Sequence, residues 1–107
     1  VTLQVVRLAG AAPLATVDLH TGKLYINGPR WDSLPPYVRR FVELHELAHW
    51  QTRSTDELLA DQLAFQVYTA EGYSPAAALA ALRYVLAGHH NDLTRTRLAF
   101  MGRRAHR

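Results

Sequence analysis

The chain has no cysteine. That excludes a disulfide scaffold, a thiolate metal site and a cysteine nucleophile. Any metal would have to be held by imidazole and carboxylate, and 6 His and 9 acids are available. No apolar run approaches the roughly 18 residues that a membrane span needs. The N-terminus lacks a basic stretch followed by an apolar one, so no signal peptide is read there and the expected location is cytoplasmic, with no membrane partner. Internal repeats and low-complexity linkers are also missing. At 107 residues, with 49% apolar and 20% charged positions, residues 1–107 read as one globular domain.

The net charge of +3 conceals an asymmetry. Between residues 43 and 71 stand Glu43, Glu46, Asp56, Glu57, Asp61 and Glu71, against the single base Arg53. From position 95 onward stand Arg95, Arg97, Arg103, Arg104 and Arg107, and no acid. Such a tail reads first as a solvated helix end and only second as a nucleic-acid contact. The chemistry is expected in the acidic centre.

The first third has strand character. Leu3, Val5 and the run to Leu8 come before a break at Gly10–Pro13. Residues 16–19 and 23–26 flank His20-Thr21-Gly22, a short hairpin loop with glycine at a positive-φ position. The rest is helical. Ser33 is placed to cap a helix whose first turn tolerates Pro35 and Pro36. Val38, Phe41, Val42, His45, Ala48 and His49 then recur at steps of three and four and share a face. A second helix runs from about Ser54 or Thr55 to Gly72. A third starts at Ser74-Pro75 and ends at Gly88, and a last one begins near Asn91 or Asp92. The expected fold is α+β: a small antiparallel sheet of two or three strands followed by about four helices.

His45-Glu46-Leu47-Ala48-His49 is an HExxH motif. The i, i+4 spacing stacks two imidazoles on one face of a helix, so that both ring nitrogens reach one ion. Glu46 lies about 100° round the helix. That is too far for a third ligand but near enough to act on a metal-bound water, the arrangement of a metallopeptidase base. A chain of this composition would produce the pattern by chance only about 0.01 times.

A catalytic zinc takes three protein ligands and keeps a fourth position open. Glu57 and Asp61, themselves at i, i+4, are placed to supply the third if residues 52–54 turn the chain back. Glu57 lies nearer the turn and has the longer reach, so it is assigned to the metal. Asp61, one turn further on, then faces His45 and fixes its tautomer. Ser54-x-x-Glu57 is also a capping-box pattern, a rival use of the same carboxylate, although Thr55 or Asp56 can cap the helix instead. His20 and His106 read as exposed, and Trp31 and Trp50 as packing residues.

Residues 38–98 resemble the gluzincin zinc metallopeptidases, in particular the HtpX and CAAX prenyl endopeptidase branch and the short soluble minigluzincins. HELAHW, then Glu57-Leu58-Leu59-Ala60-Asp61 and Gly72-Tyr73-Ser74-Pro75-Ala76-Ala77, carry the likeness. The resemblance implies a zincin-like fold, one zinc ion, a third ligand at Glu57, support of a ligand histidine by Asp61, and a peptide or protein substrate. It also implies extended substrate added to an edge strand beside the active-site helix. Two departures stand out. Seven residues separate His49 from Glu57, where membrane members carry a long insertion. The family's histidine six positions before an arginine is replaced by Asn91 before Arg97, with His89 and His90 just ahead. His90, Asn91 and Arg97 are therefore the candidates for contacts to substrate or oxyanion. The alternatives are a latent or non-proteolytic zinc-binding module, its terminus folded over the site, and a nucleic-acid accessory protein acting through the arginine tail.

Overall fold

The computed structural model describes residues 3–106. Three strands, β1 (Gln4–Leu8), β2 (Ala15–Val17) and β3 (Lys23–Asn27), precede five helices, α1 (Gly28–Asp32), α2 (Pro36–Thr52), α3 (Glu57–Ala70), α4 (Pro75–Val85) and α5 (Asp92–Ala105). The α+β class is as the sequence predicts. None of the described helices is long and apolar enough to cross a membrane.

The sheet departs from the expected all-antiparallel form. Its order is β1-β3-β2. β2 and β3 form the antiparallel hairpin (Thr16 opposite Tyr25), but β1 lies parallel to β3, with Val6 opposite Tyr25. The chain leaves β1 at Gly10 (φ 69°) and comes back on the far side of β3. Local pattern specifies strands but not which neighbour each one takes, because pairing is fixed by side chains distant in sequence. Buried Asn27 holds this crossover: its Nδ2 donates to Gly10 O (3.1 Å) and Ala12 O (3.0 Å). Its Oδ1 accepts from Arg30 N and caps α1, a short helix additional to the four expected.

The core lies between α2, α3, α4 and α5. Val38, Phe41, Val42 and Leu44 of α2 meet Ala64 and Tyr68 of α3, Ala78, Ala81 and Leu82 of α4, and Met101 of α5. The alanines of α4 carry little bulk, so its backbone can approach closely. α2 is buried beyond the face that its periodicity marks: Leu44 and Glu46 are covered too. The reason is that α2 packs against both β2 and the other helices. α3 ends in a Schellman motif, with Gly72 (φ 103°) as C′. Tyr73 N donates to Tyr68 O and Gly72 N to Thr69 O, and the Tyr68 and Tyr73 rings stack at 4.1 Å. Ser33 does not cap α2; its hydroxyl donates to Arg30 O, and α2 starts directly after Pro35.

Candidate metal centre

The site is built at the C-terminal end of α2. After Thr52 the chain turns through Arg53, which takes the left-handed conformation (φ 53°, ψ 34°) and donates its N–H to the carbonyls of His49 and Trp50. This turn brings Ser54 O to 2.7 Å from His49 Nδ1. Asp56 then caps α3, its side chain accepting from Leu58 N (3.0 Å) and Leu59 N (3.1 Å). The capping-box rival is thereby removed. Ser54 Oγ accepts from Asp56 N instead, and Glu57 is free of any capping duty.

Glu57 turns towards the histidines. Its Oε1 lies 2.5 Å from His49 Nε2 and 3.3 Å from His45 Nε2, and the two Nε2 atoms are 3.1 Å apart. The imidazoles stand nearly perpendicular, at 84°. A tetrahedral ion with bonds of about 2.0–2.2 Å spaces its ligand atoms roughly 3.3–3.6 Å apart; the two sides of the triangle that meet at His45 Nε2 are close to this, and the His49–Glu57 side is shorter. His45, His49 and Glu57 form a group able to hold a metal ion.

The hydrogen-bond partners of the rings say what this group needs. Ser54 O can only accept, so His49 Nδ1 carries a proton and its neutral ring presents a bare lone pair at Nε2. His45 Nδ1 lies 2.8 Å from Asp61 Oδ1. The carboxylate sits off the N–H axis, so the contact is electrostatic rather than a linear hydrogen bond. It still favours the proton on Nδ1 and the lone pair on Nε2. Two lone pairs and a carboxylate oxygen thus converge, an arrangement that only positive charge at their centre makes favourable.

The titration tendencies show the same pull towards positive charge at this point. Burial opposes charge on His45, but the carboxylates of Asp61 and Glu57 outweigh it and raise the ring to about 9. His49 is raised chiefly by Glu57. Glu57 is held well below the usual carboxylate range by both imidazoles, against its partial burial and with help from Arg97.

Asp61 is wholly buried. A carboxylate there must be paired, and Arg97 of α5 pairs it in bidentate fashion: Nε to Oδ2 at 2.8 Å and Nη2 to Oδ1 at 2.9 Å. The same guanidinium places Nη1 at 3.3 Å from Glu57 Oε2. Arg97 therefore steadies both acids that serve the histidines.

Glu46 lies to one side of the histidine face, as the 100° offset requires, and stays beside the ligand atoms. It is 8% exposed, with Oε2 3.9 Å from His45 Nε2. Burial raises its pKa, while the two imidazoles and the Val17 main chain pull it down. It borders two cavities. One, of about 250 Å³, runs along β2 past Thr16, Val17, His49 and Thr55. The other, of about 120 Å³, is walled by Phe41, Val42 and Leu82 and reaches Arg97.

The structure therefore brings together His45, Glu46, His49, Glu57, Asp61 and Arg97. It leaves His90 and Asn91 apart. His90 is exposed after α4, and Asn91 caps α5, its Oδ1 accepting from Thr94 N at 2.8 Å. Neither lines the cavities beside the cluster. His20 and His106 are exposed, and Trp50 packs beneath Gly22. Part of the basic tail is used within the fold: Arg97 is buried and Arg104 lies 4.5 Å from the Phe100 ring centroid, while Arg95, paired with Asp92, and Arg103 are exposed. Arg103 and Arg104 do not reach those cavities, and Arg107 lies outside the described residues. No protein-family model, curated protein or solved structure matches the chain.

Sequence reasoning missed Ser54 as the anchor of His49, because the contact uses a backbone carbonyl that any residue offers. It noticed Arg97 but cast it as a substrate contact. A signal for its actual partner was available, since a buried acid on a helix calls for a base and the acidic centre has only Arg53 nearby.

Proposed function

We propose that this chain is a zinc metallopeptidase of gluzincin type. His45, His49 and Glu57 hold the ion, Asp61 and Arg97 hold those ligands in place, and Glu46 is the general base. When bound, zinc lowers the pKa of its water to about 7 and polarises a carbonyl as a Lewis acid.

The residues of the chain supply the rest. Glu46 takes a proton from the attacking water and passes it to the leaving amine. Its raised pKa suits an acid that must both accept and return a proton. β2 is an edge strand, paired with β3 on one side only, and it lines the larger cavity together with Glu46 and His49. Its outer edge fits an extended peptide laid alongside it, with backbone hydrogen bonds providing affinity and the cavities providing selection.

Two imidazoles and one carboxylate also serve non-haem iron in other proteins. Glu46 favours hydrolysis. It is a buried acid beside the ligand atoms and outside the ligand set, which a purely structural or redox site has no need of. That pairing of a donor triad with a separate adjacent carboxylate is the observation that carries the proposal.

The test is the metal content of the protein purified without chelator, followed by digestion of an unstructured protein such as casein. About one equivalent of zinc and fragments that vanish with chelator are expected. Zinc well below one equivalent overturns the metal assignment. A full zinc site that cleaves nothing between mildly acidic and mildly basic pH overturns the peptidase assignment and leaves a non-proteolytic zinc-binding module.

A further inference from the structure

The strand at the other edge of the sheet from β2 is β1. Among the described residues it pairs with β3 alone, and its outer edge carries no strand. Proteins blunt such edges with proline, a bulge or several charges. β1 has no proline and no bulge: its five residues run in unbroken register, from Gln4 opposite Lys23 to Leu8 opposite Asn27. Its one charge, Arg7, is drawn aside to Asp32 at 2.6 Å. Val5 and Leu8 are left 53% and 41% exposed.

The layer beneath this edge is also open. Residues opposed across a ladder share a face, so Val5 and Arg7 stand with Leu24 and Ile26 on the side that faces α2. Under Val5 lies a cavity of about 240 Å³, lined by Leu24, Ile26, Trp31, Arg39 and Glu43. α2 runs opposite to β3, because Trp50 near its end packs beneath Gly22, just before β3 starts. Glu43 is thus nearer the level of Val5, and Arg39 nearer that of Arg7.

We propose that β1 is a self-association edge: two copies pair their β1 strands antiparallel about a twofold axis at Val6. The result is one six-stranded sheet in the order β2-β3-β1-β1-β3-β2. A second copy is the occupant because the edge complements itself. Centred on Val6, all five residues of β1 find partners: Val6 meets Val6, Gln4 meets Leu8, and Val5 meets Arg7. The axis brings the basic end of one copy, with Arg7 and Arg39, to the level of Glu43 in the other, and does so twice. Val5 and the aliphatic stem of the arginine opposite it cover the mouth of the cavity. Centring on Arg7 would set two arginines face to face, which opposed strands disfavour. The contact is isologous, so it uses up β1 in both copies and closes at a pair. β2 stays at both outer edges, and the edge beside Glu46 remains open in each copy. This pairing does not depend on the peptidase reading.

Sedimentation equilibrium of the zinc-loaded protein, from micromolar to millimolar concentration, tests it. A reversible monomer–dimer equilibrium is expected, in the micromolar range because the contact is small. Val5→Lys sets a lysine opposite Arg7 at two symmetric places and is expected to weaken the dimer at least about tenfold. Because Val5 is exposed, zinc content and the melt at low protein concentration are expected to match wild type. The chain has no cysteine, so Val6→Cys can cross-link only with itself. Opposed residues of an antiparallel pair have Cα atoms about 4.5–5.5 Å apart, within disulfide reach. Gln4→Cys would hold its two copies roughly 13 Å apart in this register, and Thr16→Cys reports pairing through β2 instead. Oxidation is expected to give a covalent dimer of Val6→Cys and not of the other two.

A monomer at every concentration overturns the proposal and leaves the edge to a strand of another protein. A dimer unmoved by Val5→Lys, or cross-linking of Gln4→Cys or Thr16→Cys ahead of Val6→Cys, overturns it in favour of another surface or register. Growth beyond the dimer overturns the closed pair.

Discussion

The two sides of α2 are built on opposite plans. Towards α3 and α5, each polar group has a fixed partner: His49 has Ser54 O, His45 has Asp61, Asp61 has Arg97, and Arg97 reaches back to Glu57. Towards β2, Glu46 is buried yet bound to no fixed side chain, and it borders open volume on both flanks. On the proposed function, the difference separates two tasks. Ligands must be held still against their mutual repulsion, which takes a closed network. A base must exchange protons with something that comes and goes, which takes a gap.

If that contrast is right, Glu46→Gln should separate chemistry from structure most widely. Hydrolysis is expected to fall by roughly 10²–10⁴. Zinc content should hold, and stability should stay within about 1 kcal/mol because the glutamine keeps an oxygen for the Val17 main chain. Undiminished turnover would mean that Glu46 is not the base.

On the closed side the order reverses. Arg97→Met strands the fully buried Asp61 charge, and breaking such a pair costs about 3–5 kcal/mol. The double variant Arg97→Met/Asp61→Leu should recover part of that loss. Chemical denaturation reads both, and simple additivity would show that the two residues are not coupled.

Metal removal comes next. Saturation with free zinc at about 100 times its Kd adds about 2.7 kcal/mol to the folded state, which for a domain of this size is roughly 10–20 °C in Tm. A chelator should lower the melt by that amount in wild type and not at all in His49→Ala.

The smallest effects test the turns that hold the site. A Cβ on Gly22 would lie 2.8 Å from Trp50 Cζ2 at φ +75°, so Gly22→Ala should cost about 1–3 kcal/mol. Arg53→Gly relieves a left-handed residue worth about 1–2 kcal/mol. It also loses the guanidinium stacked 3.3 Å over Trp50. A change under about 1 kcal/mol is expected, with His49 still anchored to Ser54.

The closed side was partly legible in the sequence because its key pairs are local. His45 and His49, and Glu57 and Asp61, are each one helical turn apart, and helix geometry alone places such pairs on a common face. The turn between α2 and α3 was legible only as a short link. Its left-handed residue is an arginine, where glycine would have announced it. Ser33 misled because a capping residue acts only where the backbone beside it lets it, and α1 had already taken its hydroxyl. Asn91 was seen as a helix start and also as a candidate contact, and only its first role is used in the fold.

By itself, then, the sequence determined the α+β class, the helix carrying the imidazoles and the spacing of the candidate ligands, all of which follow from backbone periodicity over a few residues. The tertiary structure decided that β1 runs parallel to β3, that β2 is the strand beside Glu46, and that Arg97 closes on Asp61 across 36 positions. These last depend on which surfaces bury one another, and burial joins residues that no local rule relates.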